Sequence, residues 1–121
     1  MTARHKFSAV RSQRGGQKFD SKLEAAYFDH LTGLMKAGEV VGFLRQVPFH
    51  LPGSVRYVCD FLVFWADGSC TFDDPKGMET AVYRAKMRQL QVLYPWAVVR
   101  SLTFKRKTWV AEIATTGGQD A

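Results

Sequence analysis

VRYVCDFLVFWADGSCTFDDPK, residues 55–76, decides the architecture. Val, Tyr, Phe and Trp dominate 55–65, as they do in strands. Ala66-Asp67-Gly68 supplies the chemistry of a tight hairpin turn. The pattern therefore predicts antiparallel strands over 55–65 and 69–76. The turn lies seven residues from Asp60 and seven from Asp74, so the two aspartates are expected to meet across the hairpin. Strand side chains alternate with a period of two, so Asp74 and Lys76 share a face while Asp73 and Pro75 point the other way. Asp60 interrupts an apolar run, where a carboxylate is costly unless paired, hydrogen-bonded or metal-bound.

Working outward, residues 21–37 read as a helix. Ser21 and Glu24 form a capping-box pattern, Leu23, Tyr27, Leu31 and Leu34 make one apolar face, and Gly38 ends it. Residues 40–51 read as a strand whose Pro48 suggests a sheet edge or a bulge. A second helix spans 79–94, with Tyr83, Met87, Leu90 and Tyr94 as its apolar stripe and Pro95 as its stop. Strands follow over 97–104 and 108–114. The expected fold is mixed α/β, in the order helix, three antiparallel strands, helix, strand, with a mixed central sheet flanked by helices. The crossover through the second helix makes the next strand parallel to its neighbour. Residues 1–18 read as a flexible basic arm, 19–114 as one domain and 115–121 as a frayed tail.

The chain has 121 residues, 46% hydrophobic and 23% charged, which suits one core and leaves little for a second. No apolar run is long enough to span a bilayer. The opening stretch, MTARHKFSAVRSQRGGQKF, lacks the apolar segment of a secretory signal, so a cytoplasmic protein with no membrane partner is expected. Cys59 and Cys70 have no CxxC neighbour and read as reduced, packed thiols. His5, His30 and His50 lack zinc spacing, and no phosphate-cradling glycine motif is present, which argues against nucleotide-driven work. The net charge of +6 is uneven. Arg4, Lys6, Arg11, Arg14, Lys18 and Lys22 face a single acid, Asp20, near the start, and Lys105, Arg106 and Lys107 form a second cluster. Such cations gain free energy from phosphates by releasing condensed counterions, so the arm and patch are expected to bind DNA. The alternative is a basic protein with no such partner.

Four of the eleven acids lie within residues 60–74, namely Asp60, Asp67, Asp73 and Asp74, which makes physical sense around a cation. Asp60 and Asp74 meeting at one end of the sheet would offer hard oxygens to Mg2+ or Mn2+, and the Pro75 carbonyl would add another. Such a site suits phosphodiester hydrolysis. The cation polarises the phosphoryl oxygen and acidifies the attacking water, while Lys76 stabilises charge on the phosphate. Plainer readings stand beside these. Glu24 is either a ligand or a helix cap. Asp60 has Arg56 or Arg100 as an alternative partner. Asp67 and Asp73 read as turn or solvent-facing residues. Trp65, Trp96 and Trp109 read as core. Pro75 is expected to remove one ladder hydrogen bond.

Asp60 followed by Asp74-x-Lys76, in this element order, resembles the PD-(D/E)xK nuclease superfamily. FDSKLEAAYFDHL, YVCDFLVFWADGSCTFDDPKG and ETAVYRAKMRQL are similar to a small phage-encoded branch likened to Holliday junction resolvases. The resemblance covers roughly residues 17–104, with Cys59 standing where the motif name has proline. It implies a restriction-endonuclease-like core. Glu24 would be the first-helix acid, Asp60 the second-strand aspartate, and Asp74 and Lys76 the (D/E)xK pair. Lys86 falls where some relatives carry an auxiliary base. It also implies a host setting, the cytoplasm of a phage-infected or prophage-bearing bacterium.

The expected function is thus a metal-dependent endonuclease acting on DNA. The small size favours structure-specific or partner-guided cutting over sequence reading by the chain alone. Two matched cuts at a four-way junction would call for a homodimer. The alternatives are a catalytically silent DNA-binding subunit of nuclease fold, and a nuclease subunit of a transposition or restriction complex whose partner protein supplies specificity.

Overall fold

A computed structural model describes residues 12–14, 17–19 and 21–115. Within the stretch read as an arm, Ser12–Arg14 (β1) pairs antiparallel with Gln17–Phe19 (β2), which places Arg14 and Lys18 on these short strands. Arg4, Lys6, Arg11, Gly15, Gly16 and residues 116–121 lie outside the described residues.

The first helix, Lys22–Lys36 (α1), is capped by Ser21, whose hydroxyl accepts the Glu24 amide at 3.0 Å. Gly38 follows at φ 82, a left-handed conformation that glycine adopts without a side-chain clash. Then come Val40–Leu51 (β3), Val55–Trp65 (β4), Cys70–Pro75 (β5), Ala81–Leu93 (α2), Val99–Lys105 (β6) and Thr108–Ile113 (β7). Among the described residues the main sheet has five strands in the order β3-β4-β5-β6-β7. Only β5 and β6 run parallel, as the crossover through α2 requires. Pro48 sits on β3, an edge strand, where its missing N–H costs least.

The helices cover opposite faces. On β5, Phe72 packs into the cluster under α2 with Tyr83, Met87 and Leu90, whereas the adjacent Asp73 meets Tyr27 of α1. The α1 side is filled by Ala25, Tyr27, Leu31, Phe61, Val63 and Leu102. β5 is therefore covered on both sides, and Phe72, Asp73, Asp74 and Pro75 are all buried although two of the four are acids.

Four expectations are corrected by burial. Asp73 is no turn or solvent-facing residue: it is 0% exposed, accepts a bond from the Tyr27 hydroxyl at 2.5 Å and is held by two Arg100 nitrogens at 2.8 Å. Apolar strand context cannot distinguish a buried, paired acid from an exposed one. Cys70 is exposed and only Cys59 is packed. Trp96, placed just past the end of α2, is 64% exposed, while Trp65 and Trp109 pack against the α1-side core. Thr115, read as tail, is buried: its hydroxyl accepts the Val99 amide at 3.1 Å and donates to the Ala97 carbonyl at 2.7 Å.

Candidate functional site

The β4–β5 register pairs Phe61 with Asp73, Leu62 with Phe72 and Val63 with Thr71, and carried one step further it sets Asp60 opposite Asp74. The two carboxyls are close enough for charge and a shared proton to couple them. The hairpin count from the turn at 66–68 thus predicts the register. Asp74 on β5 and Lys76, just past its end, share a face as alternation requires, with the ammonium 3.2 Å from Asp74 Oδ2. The same oxygen accepts the Tyr57 hydroxyl at 2.5 Å.

Pro75 proves compatible with its place. The Phe72 and Lys76 amides bond to the carbonyls of Val98, just before β6, and of Leu102 within it. The missing N–H of Pro75, odd-numbered between them, faces β4 instead. Pairing with β4 runs no further along β5 than Asp73, in keeping with the ladder bond that a proline at 75 cannot make.

A kink brings the remaining groups in. Residues two apart on a regular strand share a face. Cys59 nevertheless packs under α2 while Phe61 packs under α1, and on β3 Val47 and Phe43 divide in the same way. Both strands therefore change facing at one level, between Arg45–Phe61 and Val47–Cys59, where Gln46 lies opposite Asp60. Gln46 has φ 58, an uncommon conformation for a residue with a side chain. Its amide nitrogen reaches Glu24 Oε2 at 3.0 Å and, more weakly, Asp60 Oδ1 at 3.4 Å.

Glu24 resolves the ambiguity between cap and site. Its backbone amide takes the Ser21 cap, but its carboxylate turns to β3, where Arg45 Nη2 donates at 2.7 Å. Glu24 is 4% exposed and Asp74 1%. Burial first, then the charges of Asp74 and Glu24 and the hydrogen bond with Asp74, push the Asp60 carboxyl from 3.8 up to about 8, with Lys76 opposing. Asp60 thus keeps its proton at neutral pH. Burial, followed by the Cys59 and Asp74 charges, raises Tyr57 far above its ordinary value and keeps it a donor.

Glu24, Asp60, Asp74 and Lys76 are therefore brought together with Gln46 and Tyr57. Arg45, Gln46 and Tyr57 are missed by the sequence reading. The signal for Gln46 was available: Arg45-Gln46 interrupts the apolar run of β3 just as Asp60 interrupts β4. Arg56 and Arg100 do not pair with Asp60, since Arg100 is committed to Asp73 on the other face. Lys86 donates to the Arg56 carbonyl at 3.1 Å. Asp67 is the turn residue expected, accepting from both the amide and the hydroxyl of Ser69. Lys105, Arg106 and Lys107 are exposed at the β6–β7 turn, and Lys105 lines one cleft with Lys76, Ser101 and Thr103.

Three carboxylates with no nitrogen or sulfur donor suit a hard, oxygen-seeking cation. Among the described residues no three His, Cys, Asp or Glu side chains converge tightly enough to hold an ion as they stand. The neutral Gln46 amide lies between Glu24 and Asp60, so coordination would require it to yield, whereas the Lys76 ammonium lies against one oxygen of Asp74 and leaves the other.

Fold and cluster together define a mixed α/β protein carrying an acid–lysine site where its first hairpins kink. The chain belongs to the DUF1064 family, described as a protein of unknown function, whose pattern matches residues 4–108. No curated protein and no solved structure matches it. No helix among the described residues is long and apolar enough to cross a membrane.

Proposed function

We propose that the chain is a divalent-cation-dependent endonuclease of the PD-(D/E)xK type, with DNA as substrate. One observation carries this reading: Asp60 and Asp74 lie opposite each other on adjoining strands, Glu24 sits beside Asp60, and Lys76 is 3.2 Å from Asp74. Bound Mg2+ or Mn2+ would supply Lewis-acid polarisation of a phosphoryl oxygen. Asp60, Asp74 and Glu24 would hold it through carboxylate oxygens. Asp60 would surrender its proton in doing so, which makes binding tighter as pH rises. Lys76, part-exposed beside Asp74, would leave that carboxylate for the negative phosphate and stabilise the charge that develops there. The exposed Lys105–Lys107 turn, joined to Lys76 by one cleft, would carry flanking backbone phosphates.

The direct test is a cleavage panel of duplex, single-stranded, flapped and four-way DNA with magnesium or manganese. Wild type is expected to cut at least one substrate, and Asp74→Ala or Lys76→Ala to lose cutting by several orders of magnitude while DNA binding survives. Wild type that binds DNA yet cuts nothing with either ion would replace this reading with a silent binding subunit. Cutting that begins only when a partner protein is added would place the chain in a larger complex.

A further inference from the structure

We propose that Tyr57 sets the cation preference of this cluster, by withdrawing one oxygen of Asp74 from coordination. The inference rests on the cation site proposed above and adds a residue and a selectivity to it. A carboxylate oxygen offers about two lone-pair sites. On Asp74 Oδ2 one accepts the Tyr57 hydroxyl at 2.5 Å and the other faces the Lys76 ammonium at 3.2 Å. Once Asp60 gives up the proton it holds against Asp74, Oδ1 is the oxygen left to serve a cation, so Asp74 acts as a ligand through one atom only.

A tyrosine layer beneath the cluster keeps this arrangement. The Lys76 ammonium stands 4.6 Å from the centre of the Tyr83 ring, a cation–π contact that seats it beside Oδ2. The Tyr83 ring in turn meets Tyr57 edge-on at 6.1 Å. Tyr83 is 6% exposed, and its buried hydroxyl neighbours that of Tyr57 without a well-formed hydrogen bond.

Single-oxygen ligation matters because cations differ in what they tolerate. Magnesium, and manganese in similar fashion, accepts compact octahedral geometry with one oxygen from each carboxylate, whereas calcium takes six to eight oxygens and readily uses both oxygens of one carboxylate. Tyr57 therefore holds the site to the smaller ions. Removing its hydroxyl frees Oδ2 and opens two-oxygen ligation.

Calorimetric titration of Mg2+, Mn2+ and Ca2+ into the full chain tests this without relying on activity. Tyr57→Phe deletes one oxygen and keeps the ring. It is expected to move the ratio of calcium to magnesium affinity at least about fivefold toward calcium. Lys76→Met, at a part-exposed side chain, frees the same oxygen from its other partner and is expected to shift the ratio the same way. The result then does not depend on Tyr57→Phe folding, which a melting curve checks. Wild type that binds none of the three ions removes the site and this inference with it. Wild type that binds, with the ratio unmoved in the folded variants, overturns the role of Tyr57 and leaves the site standing.

Discussion

Asp60→Asn removes a carboxyl that the fold holds against its own preference. The wild-type group is pushed from 3.8 to about 8, by burial first and then by Asp74 and Glu24. The sign follows from linkage. A group whose proton is held more tightly in the folded state favours that state fully below its unfolded value, and the advantage is lost as pH rises through the folded value. Cation-free wild type therefore forfeits stability between about pH 4 and pH 8, and asparagine, which never ionises, does not. At ~1.4 kcal/mol for each tenfold change in proton affinity, the ceiling is roughly 5–6 kcal/mol. Asp60 is only part-buried and its proton bridges to Asp74, so the pair titrates together and the realised gain is set at about half the ceiling, ~2–3 kcal/mol. For a chain of this size that corresponds to roughly 6–12 °C in melting temperature. Thermal melts of both proteins in EDTA, at pH 4 and pH 9, read the difference directly. Asp60→Asn should melt well above wild type at pH 9 and close to it at pH 4. Saturating magnesium or manganese should raise wild type and leave the variant where it was. A variant no more stable than wild type at pH 9, or equally advantaged at both pH values, would refute the claim that Asp60 is a constrained acid among acids.

The opposite face gives the opposite sign. Asp73→Ala strands the Arg100 guanidinium and the Tyr27 hydroxyl in the core, and a broken buried ion pair costs about 3–5 kcal/mol; an unchanged urea midpoint would show that the Asp73 bonds contribute nothing. Replacing Lys105, Arg106 and Lys107 together by alanine should weaken DNA binding without touching the Asp60–Asp74 pair. Each lost phosphate contact lowers the slope of log affinity against log salt by about 0.9, so a slope unchanged from wild type would take the β6–β7 turn out of the interface.

The hairpin geometry was legible because it follows from counting. Strand bounds at 40–51 and 55–65 come from composition, and a tight turn leaves one plausible register, so Asp60 opposite Asp74 is available before any coordinates. The same arithmetic, applied to β3 and β4 around Pro52–Ser54, would have set Gln46 opposite Asp60. A polar residue in an edge strand looks like ordinary solvent decoration, which hides that pairing. The change of facing between Cys59 and Phe61 is another matter. Alternation predicts that they share a face, and only packing against two helices on opposite sides reveals that they do not. Asp73 shows the same limit: adjacent aspartates look equivalent in sequence, yet one faces Arg100 and the other Lys76. Which side each helix covers decides that, and no local pattern encodes it.

The two departures at the hairpin, proline at 75 and the kink at Gln46 and Asp60, act as one device. Antiparallel strands zip as far as donors and acceptors continue to match. Here pairing of β4 with β5 ends at Phe61 and Asp73, and the next β5 residue able to donate toward β4 would be number 75, which is proline. On the other side of β4 the ladder to β3 skips Gln46 and Asp60 before resuming at Val47 and Cys59. Both interruptions fall at the level of the Asp60 and Asp74 carboxyls. A regular three-stranded ladder would bury backbone there and turn Asp60 flat onto one face. With pairing broken on both sides, two carboxyl side chains, an amide and an ammonium are brought together beside the end of β5, and the strain at Gln46 is the local cost of keeping them there.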